Sequence, residues 1–405
     1  MVNIEASYAR ELRLKNPLVA ASAGTTETLD RMRKAEDAGF SAVVVKSLFE
    51  DPATRRDPSP MFRILVRSFG GWGSMTFYSY EQASHFDPDR YAEEISRAKS
   101  ALEIPVIGSI ACVSEEGWTS YARLIEEAGA DAIELNLSCP YSVHVTGRLD
   151  VLESFVSDTV RMVKDAVSIP VVAKMTPQMT SPVKIAKAME DSGADAVVPF
   201  SRFAGLDIDV EGERPIMHGG IAGHGGLWSI YYVLRWIAFI YRELSIPISG
   251  SGGAANGEDV VKHILAGAST VQICTAIYIG GYGVCRGMIG YLERYMERKG
   301  FESLSDFRGR ASERLLSMHE VLRRQTVIAE ISPGECSSCG ICERRCPYGA
   351  IVHEGKVYRV RAELCTGCGL CRELCRAGAI SLVPVPDGYT PRHFIAELDS
   401  GGRKG

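Results

Sequence analysis

The sequence has no uninterrupted apolar run of the roughly 18 residues that a membrane-crossing helix requires, which argues against a membrane span. Its start, Met1-Val-Asn-Ile-Glu-Ala, lacks the basic and apolar regions of a secretory signal, so the expected location is cytoplasmic. It also lacks a strong charge of either sign. A net charge of -5 with no clustered basic stretch argues against nucleic acid as a partner, because phosphate backbones call for a concentrated positive face. What remains is a mildly acidic globular chain of 405 residues, long enough for one large domain and one small one. Cysteine is unevenly spread: Cys112, Cys139, Cys274 and Cys285 are scattered, whereas eight lie between Cys336 and Cys375. Without an export signal, that crowding reads as metal ligation rather than disulfides.

Between about residues 16 and 300, short β-branched runs alternate with longer amphipathic segments. The strand candidates are Leu18 to Ala23, Ala42 to Lys46, Val106 to Ala111, Ala132 to Leu137, Val171 to Met175, Ala196 to Phe200, Pro247 to Gly250 and Thr270 to Thr275. Helical patterns lie between them, among them Leu29 to Gly39, Gly117 to Gly129, Val151 to Ser168, Val183 to Gly193, Trp228 to Leu244 and Asp259 to Gly267. Eight such units predict an α/β (β/α)8 TIM barrel, and a doubly wound open sheet shares the local signature. The turns Ala38-Gly-Phe-Ser-Ala42, Ala128-Gly-Ala-Asp-Ala132 and Ser192-Gly-Ala-Asp-Ala196 each stop a helix with Gly just before a strand. The expected organisation is a barrel over 1–300, a helical linker over 301–331, a cysteine-rich domain over 332–385 and a tail over 386–405.

In a barrel, chemistry belongs at the C-terminal ends of the strands. Those ends carry Ala21 and Ser22, Lys46 and Ser47, Asn136, Lys174, Ser201 and Arg202, Gly252 and Gly253, and Cys274 and Thr275. Lysines closing apolar strands are costly unless they meet an anion or a polar cofactor. Asn136-Leu-Ser-Cys139-Pro140 sets a carboxamide, a hydroxyl and a thiol within four residues, and Cys139 is the candidate catalytic group. Two long excursions, 48–104 and 204–226, the second with His218 and Gly220, read as lids or substrate walls, and the first reads equally well as a surface embellishment or a subunit contact. Ser249-Gly-Ser-Gly-Gly253 ends a strand before a helix and pairs with Gln272-Ile-Cys-Thr275, the place where barrels bind phosphate.

The strongest motif closes the chain. Cys336-x2-Cys339-x2-Cys342-x3-Cys346-Pro347 is followed by Cys365-x2-Cys368-x2-Cys371-x3-Cys375, the doubled run of a two-[4Fe-4S] ferredoxin-like domain. In such a module the fourth Cys of each run ligates the other cluster. That gives Cys336, Cys339, Cys342 and Cys375 to one cluster and Cys365, Cys368, Cys371 and Cys346 to the other. Paired zinc sites seldom use four cysteines at these intervals twice. A phosphate-bearing cofactor in a barrel that precedes two clusters points to FMN, which joins two-electron hydride chemistry to one-electron carriers. Lys174 would then face the N1/O2 edge of the flavin and Lys46 its O4/N5 side.

Asn16-Pro-Leu-Val-Ala-Ala-Ser22, Val44-Val-Lys-Ser47, Asn136-Leu-Ser-Cys-Pro140, Ala173-Lys-Met175, Ser249-Gly-Ser-Gly-Gly253 and Val271-Gln-Ile-Cys-Thr-Ala276 resemble the class 1 dihydroorotate dehydrogenase barrel, in that family's order. With the ferredoxin module behind it, the chain resembles the catalytic subunits of bacterial dihydropyrimidine dehydrogenases and the matching part of the large eukaryotic enzymes. The resemblance implies an oxidoreductase acting on a CH–CH bond beside a carbonyl, interconverting a pyrimidine and its 5,6-dihydro form. Cys139 would be the general acid/base opposite the flavin, and Asn136 would hold substrate or flavin edges. It also implies a homodimer or hetero-oligomer, fed by an FAD-bearing, NAD(P)H-oxidising partner subunit or by ferredoxin.

The family's further ureide-binding asparagines are absent. Tyr141 follows Cys139-Pro140, Ser201-Arg202 ends the sixth strand, and Arg376 stands where Pro commonly follows the last Cys. Arg202, Tyr141 and Ser201 join Asn136 as candidate substrate contacts, and Arg202 with His218 suits a more polar or anionic substrate. Dihydroorotate oxidation and an electron-transfer subunit without turnover of its own are the alternative readings.

Overall fold

A computed structural model describes residues 2–69, 71–81, 83–137, 152–216, 222–321, 325–355 and 357–385. It divides into two units, residues 1–315 and 316–405. Cys139, Tyr141, His218 and Gly220, and the tail over 386–405, lie outside the described residues.

The first unit is a closed parallel barrel. Its strands are β1 (Leu18–Ala20), β2 (Ala42–Val44), β3 (Val106–Ala111), β4 (Ala132–Asn136), β5 (Val171–Lys174), β6 (Ala196–Val198), β7 (Ser249–Ser251) and β8 (Thr270–Ile273). Neighbours pair in register from β1 through β6, and β7 pairs with β8, which returns to β1. A parallel bridge between Val197 and Ile248 and the bond Val197 N–H to Pro247 O at 3.1 Å join β6 to β7. The ring therefore closes, and the open doubly wound sheet is excluded.

A helix of ten residues or more follows each strand: α1 (Leu29–Ala38), α2 (Pro88–Ala101), α3 (Glu115–Glu127), α4 (Leu152–Ala166), α5 (Pro182–Asp191), α6 (Ile230–Ile240), α7 (Gly257–Ala266) and α8 (Val284–Lys299), with a short helix, Thr275–Gly280, between β8 and α8. Strands buried along their whole length are what a sheet covered on both faces requires. One buried cluster, with Val19, Val44, Ile107, Val172 and Val198, also takes in Tyr8 and Leu14 from the N-terminal hairpin; a larger one spans strands and helices.

The repeated Gly-Ala-Asp turns have a physical basis. Asp131 Oδ2 accepts the Val106 N–H at 2.7 Å and pairs with Lys99, while Asp195 Oδ2 accepts the Val171 N–H at 2.8 Å and pairs with Lys164. Each carboxylate thus pins the start of the preceding strand to a helix lysine.

The 48–104 excursion holds more than a loop. Its last third is α2, begun by an Asp87 cap and a Pro at the first turn. Its middle is a hairpin of Phe62–Phe69 with Trp72–Ser79, which pairs through Ala222–Gly225 to Phe203–Gly205. Both long excursions therefore contribute to one four-stranded antiparallel sheet.

The segment expected to be a helical linker over 301–331 differs from that expectation. Leu304 and Phe307 are buried in the barrel unit, and Phe301 stacks on Phe307 with ring centres 5.2 Å apart. Aromatic burial overrides the charged composition there, and only Arg310–Glu313 is α-helical between 301 and 321. Val327–Ile331 is a strand of the second unit, paired antiparallel with Ile380–Pro384.

The second unit also pairs Ile351–Glu354 with Val357–Val360 and carries two short helices, Ile341–Arg345 and Leu370–Leu374. Each helix is preceded by a left-handed glycine, Gly340 at φ 70° and Gly369 at φ 81°, matching the repeat of the cysteine runs. Among the described residues no helix is long and apolar enough to cross a membrane.

Candidate functional site

A cavity of about 400 Å³ opens at the C-terminal ends of the barrel strands. Every described residue expected at the site from the barrel sequence lines it: Ala21, Ser22, Lys46, Ser47, Asn136, Lys174, Ser201, Arg202, Gly252, Gly253, Cys274 and Thr275. The antiparallel sheet adds Met75, Phe77, Ser79, Phe203 and His224, and the apolar wall is completed by Phe49, Phe200 and Tyr278.

At the floor, Lys174 Nζ donates to Glu134 Oε1 at 3.0 Å and to Gln272 Oε1 at 2.7 Å. Gln272 Nε2 in turn donates to Glu134 Oε2, and the Tyr8 hydroxyl reaches the same oxygen at 3.4 Å. Glu134 is fully buried, and a buried carboxylate is tolerated only when paired and bonded in this way. Burial, followed by the Glu134 charge, holds the Tyr8 phenol well above its ordinary range, so Tyr8 serves as a donor.

Lys46 is 1% exposed, with Nζ 3.3 Å from Asp57, 3.4 Å from Glu81 and 3.8 Å from Glu27. Both lysines thus meet anions supplied by the protein. A strand-end lysine signals an anion but not its source. Glu134 was legible as a charge inside an apolar run, whereas Glu27, Asp57, Glu81 and Tyr278 come from distant segments and gave no local signal.

Small hydroxyls form a chain along one wall. Asn136 Nδ2 donates to Ser47 Oγ at 3.3 Å, and Ser47 Oγ lies 2.7 Å from Ser109 Oγ and 3.0 Å from Ser22 Oγ. These contacts orient the Asn136 carboxamide. Arg202 lies with its stem across Gly223, where an added Cβ would stand 1.9 Å from Arg202 Cδ, and Nη1 donates to the Ser79 carbonyl at 3.5 Å. Cys274 is pushed up to about 12 by burial, then by Glu81, against the opposing pull of Lys174 and Arg202, and is a neutral thiol at physiological pH. Burial also lowers His224, leaving a neutral imidazole.

The far end of the cavity suits a phosphate. Gly252 and Gly253 have φ of 114° and 78°, and a Cβ on Gly253 would fall 2.4 Å from the Ile230 backbone nitrogen at the start of α6. A Cβ on Gly225 would crowd Thr275 Oγ1 at 2.8 Å. Glycine is therefore required where the chain after β7 turns against the start of α6, and a glycine turn at this end of a barrel is where backbone groups can approach a phosphate.

In the second unit, Cys346, Cys365, Cys368 and Cys371 line one small cavity with Pro347, Ala350 and Ile351. Sulfur atoms accept backbone N–H groups there, Ala350 to Cys346 at 3.4 Å and Ala329 to Cys365 at 3.5 Å. Cys336, Cys342 and Cys375 pack into the same unit's core, and the Ile341 N–H pulls the exposed Cys339 below the ordinary thiol range. A four-thiol pocket with amide donors to sulfur fits a cluster, and this one takes three thiols from the second run and one from the first.

Comparison with known proteins agrees with both parts. Residues 6–296 match the family described as dihydroorotate dehydrogenase, and residues 335–380 match the 4Fe-4S dicluster domain. The catalytic subunit of dihydroorotate dehydrogenase B (NAD(+)) from Methanocaldococcus jannaschii is 32% identical over 292 residues, 70% of this chain and 91% of that one. The counterpart from Thermoplasma acidophilum is 33% identical over 319 residues, 76% of this chain and 99% of its own. The NAD-dependent dihydropyrimidine dehydrogenase subunit PreA of Escherichia coli is 31% identical over 346 residues, 83% of each chain.

Proposed function

From the premise that this chain belongs to the dihydroorotate dehydrogenase family and carries a 4Fe-4S dicluster domain, we propose that it interconverts a pyrimidine and its 5,6-dihydro form using FMN and two [4Fe-4S] clusters. Family membership makes it an oxidoreductase acting on CH–CH bonds, in a flavin-dependent family. Support for the pyrimidine reading comes from the similarity to the dihydropyrimidine dehydrogenase subunit, which spans 346 residues, more than a barrel alone contains. FMN would supply the hydride-exchanging centre and divide electron pairs into the single electrons that clusters carry.

The chain's own residues would do the rest. The Gly252-Gly253 turn would hold the phosphate, with Thr275 beside it. Lys174, fixed by Glu134 and Gln272, would present an ammonium at the floor, and Asn136, oriented by Ser47, would hold amide edges. Cys139 would exchange the proton at the carbon next to the carbonyl, a task suited to a thiol with an ordinary pKa of about 8.5. The relatives named as subunits favour a hetero-oligomer, in which an NAD(P)H-oxidising partner exchanges electrons through the clusters.

A second reading, dihydroorotate as substrate, is favoured by Arg202, a guanidinium on the cavity wall that could pair with the carboxylate orotate has and uracil lacks. Anaerobic spectral titration with uracil, thymine, dihydrouracil and dihydroorotate distinguishes the two. Bleaching by dihydrouracil with no response to dihydroorotate supports the first reading, and the reverse replaces it with the second. Flavin and iron with no response to any of the four would overturn both.

A further inference from the structure

Reducing a C=C bond to CH–CH takes up two electrons and two protons, and iron–sulfur clusters deliver electrons alone. Protons must therefore reach an apolar-walled cavity independently of the electrons. One set of side chains spans the distance from solvent to that cavity.

His85 leaves 48% of its side chain open to solvent. Its Nδ1 lies 2.9 Å from Glu27 Oε1 and its Nε2 lies 3.1 Å from Asp57 Oδ2, so only the doubly protonated ring donates to both. Asp57 Oδ2 is 3.3 Å from Lys46 Nζ, which is 3.4 Å from Glu81 Oε1. The other oxygen of Glu81 accepts the Tyr278 hydroxyl in a close contact, and both of these residues line the cavity. Further neighbours among the described residues include Arg31, whose Nη1 pairs with Glu27 Oε2 at 3.1 Å, Ser84, whose Oγ reaches Glu27 Oε1 at 3.5 Å, and the His85 backbone N–H, which donates to Glu27 Oε1 at 2.9 Å.

We propose that His85, Asp57, Lys46 and Glu81 form a proton route from solvent into the cavity, with Glu81 at its inner end; the proposal rests on the oxidoreductase reading above. Three carboxylates, Glu27, Asp57 and Glu81, face the cations Lys46 and Arg31, an acid-rich setting in which His85 can hold a second proton. The imidazolium passes its Nε2 proton to Asp57. Lys46 accepts that proton as it gives one of its own to Glu81, so its charge is the same before and after. Glu81 releases the proton into the cavity, Tyr278 steadies its other oxygen, and water reprotonates the exposed imidazole. The four groups come from β2's end and the long insertion, and Glu27 and Tyr278 from the segments after β1 and β8. A purely structural ion cluster would tie these segments together equally well, so the test must read proton movement.

The purified holoenzyme is mixed anaerobically in a stopped-flow instrument with reduced methyl viologen, a one-electron donor that carries no proton. Flavin bleaching and the colour of a pH indicator in weak buffer are followed together. Proton uptake keeps pace with bleaching in the unaltered protein, and slows by about tenfold or more in His85→Gln, His85→Ala and Asp57→Asn at unchanged flavin content. Added imidazole restores uptake in His85→Ala but not in His85→Gln. Unchanged uptake in the variants, or slowing in His85→Ala that imidazole does not relieve, overturns the route. Absence of any flavin signal overturns the oxidoreductase reading, and the route with it.

Discussion

Lys174 and Glu134 are buried together at the barrel floor, and their energetics are those of a pair whose desolvation is offset only while both are present. Glu134→Ala should cost about 3–5 kcal/mol in denaturant unfolding of the barrel, because it strands an ammonium away from water. Glu134→Gln combined with Lys174→Met should recover most of that loss, and a double variant as unstable as the single would contradict the pairing. The buried thiols give a prediction in pH. Burial lifts Cys274 and Cys285 from an ordinary 9.0 to about 12, so the unfolded chain loses these protons first as pH rises. Their contribution to stability is complete below pH 9 and falls between about 9 and 12, and Cys274→Ser should flatten that decline in a melting series. At this scale the sequence exposed donors and nucleophiles through their positions at strand ends. It concealed Tyr8, Glu27, Asp57 and Glu81, whose partners lie far away along the chain.

At the scale of elements, the glycine pair after β7 is the part most sensitive to a single methyl group. Gly253→Ala must place a Cβ against the Ile230 backbone while keeping a left-handed φ of 78°, so the turn must shift. FMN should bind at least about tenfold more weakly, about 1.4 kcal/mol, as measured by flavin retained through desalting. Undiminished retention would move the phosphate elsewhere. Seven of the eight strand starts were readable to the residue because a parallel barrel strand is a short, mostly apolar run, as in Val106–Ala111, whereas the ends, where polar site residues take over, were placed up to three residues too late, as at Leu18–Ala20. The helix α2 was hidden because the hairpin Phe62–Ser79 separates it from its strand, and the hairpin itself is paired across the mouth with Ala222–Gly225. That pairing is tertiary, and no local pattern announces it.

For the whole molecule, two units with different cores are joined in one chain, and the doubled cysteine runs identified the second more plainly than any periodicity could. Its cross-ligation makes a specific prediction. Cys346 lines one cavity with Cys365, Cys368 and Cys371, so Cys346→Ala should reduce iron from about eight toward about four per chain while sparing the first run's cluster. Loss of the cluster held by Cys336, Cys339 and Cys342 instead would show that each run ligates its own. The substrate was the least legible feature, because recognition depends on which side chains converge on the cavity, and Arg202 enters it from beyond the end of β6 while Glu81 enters from the 48–104 excursion. The proposed function requires one chain to carry both a flavin in the barrel and clusters in the second unit. Its most direct test is identification of the flavin released from anaerobically purified protein, with iron determined on the same sample. One FMN and about eight irons per chain is the predicted result. A chain that carries FAD or no flavin, or zinc in place of iron, would contradict it.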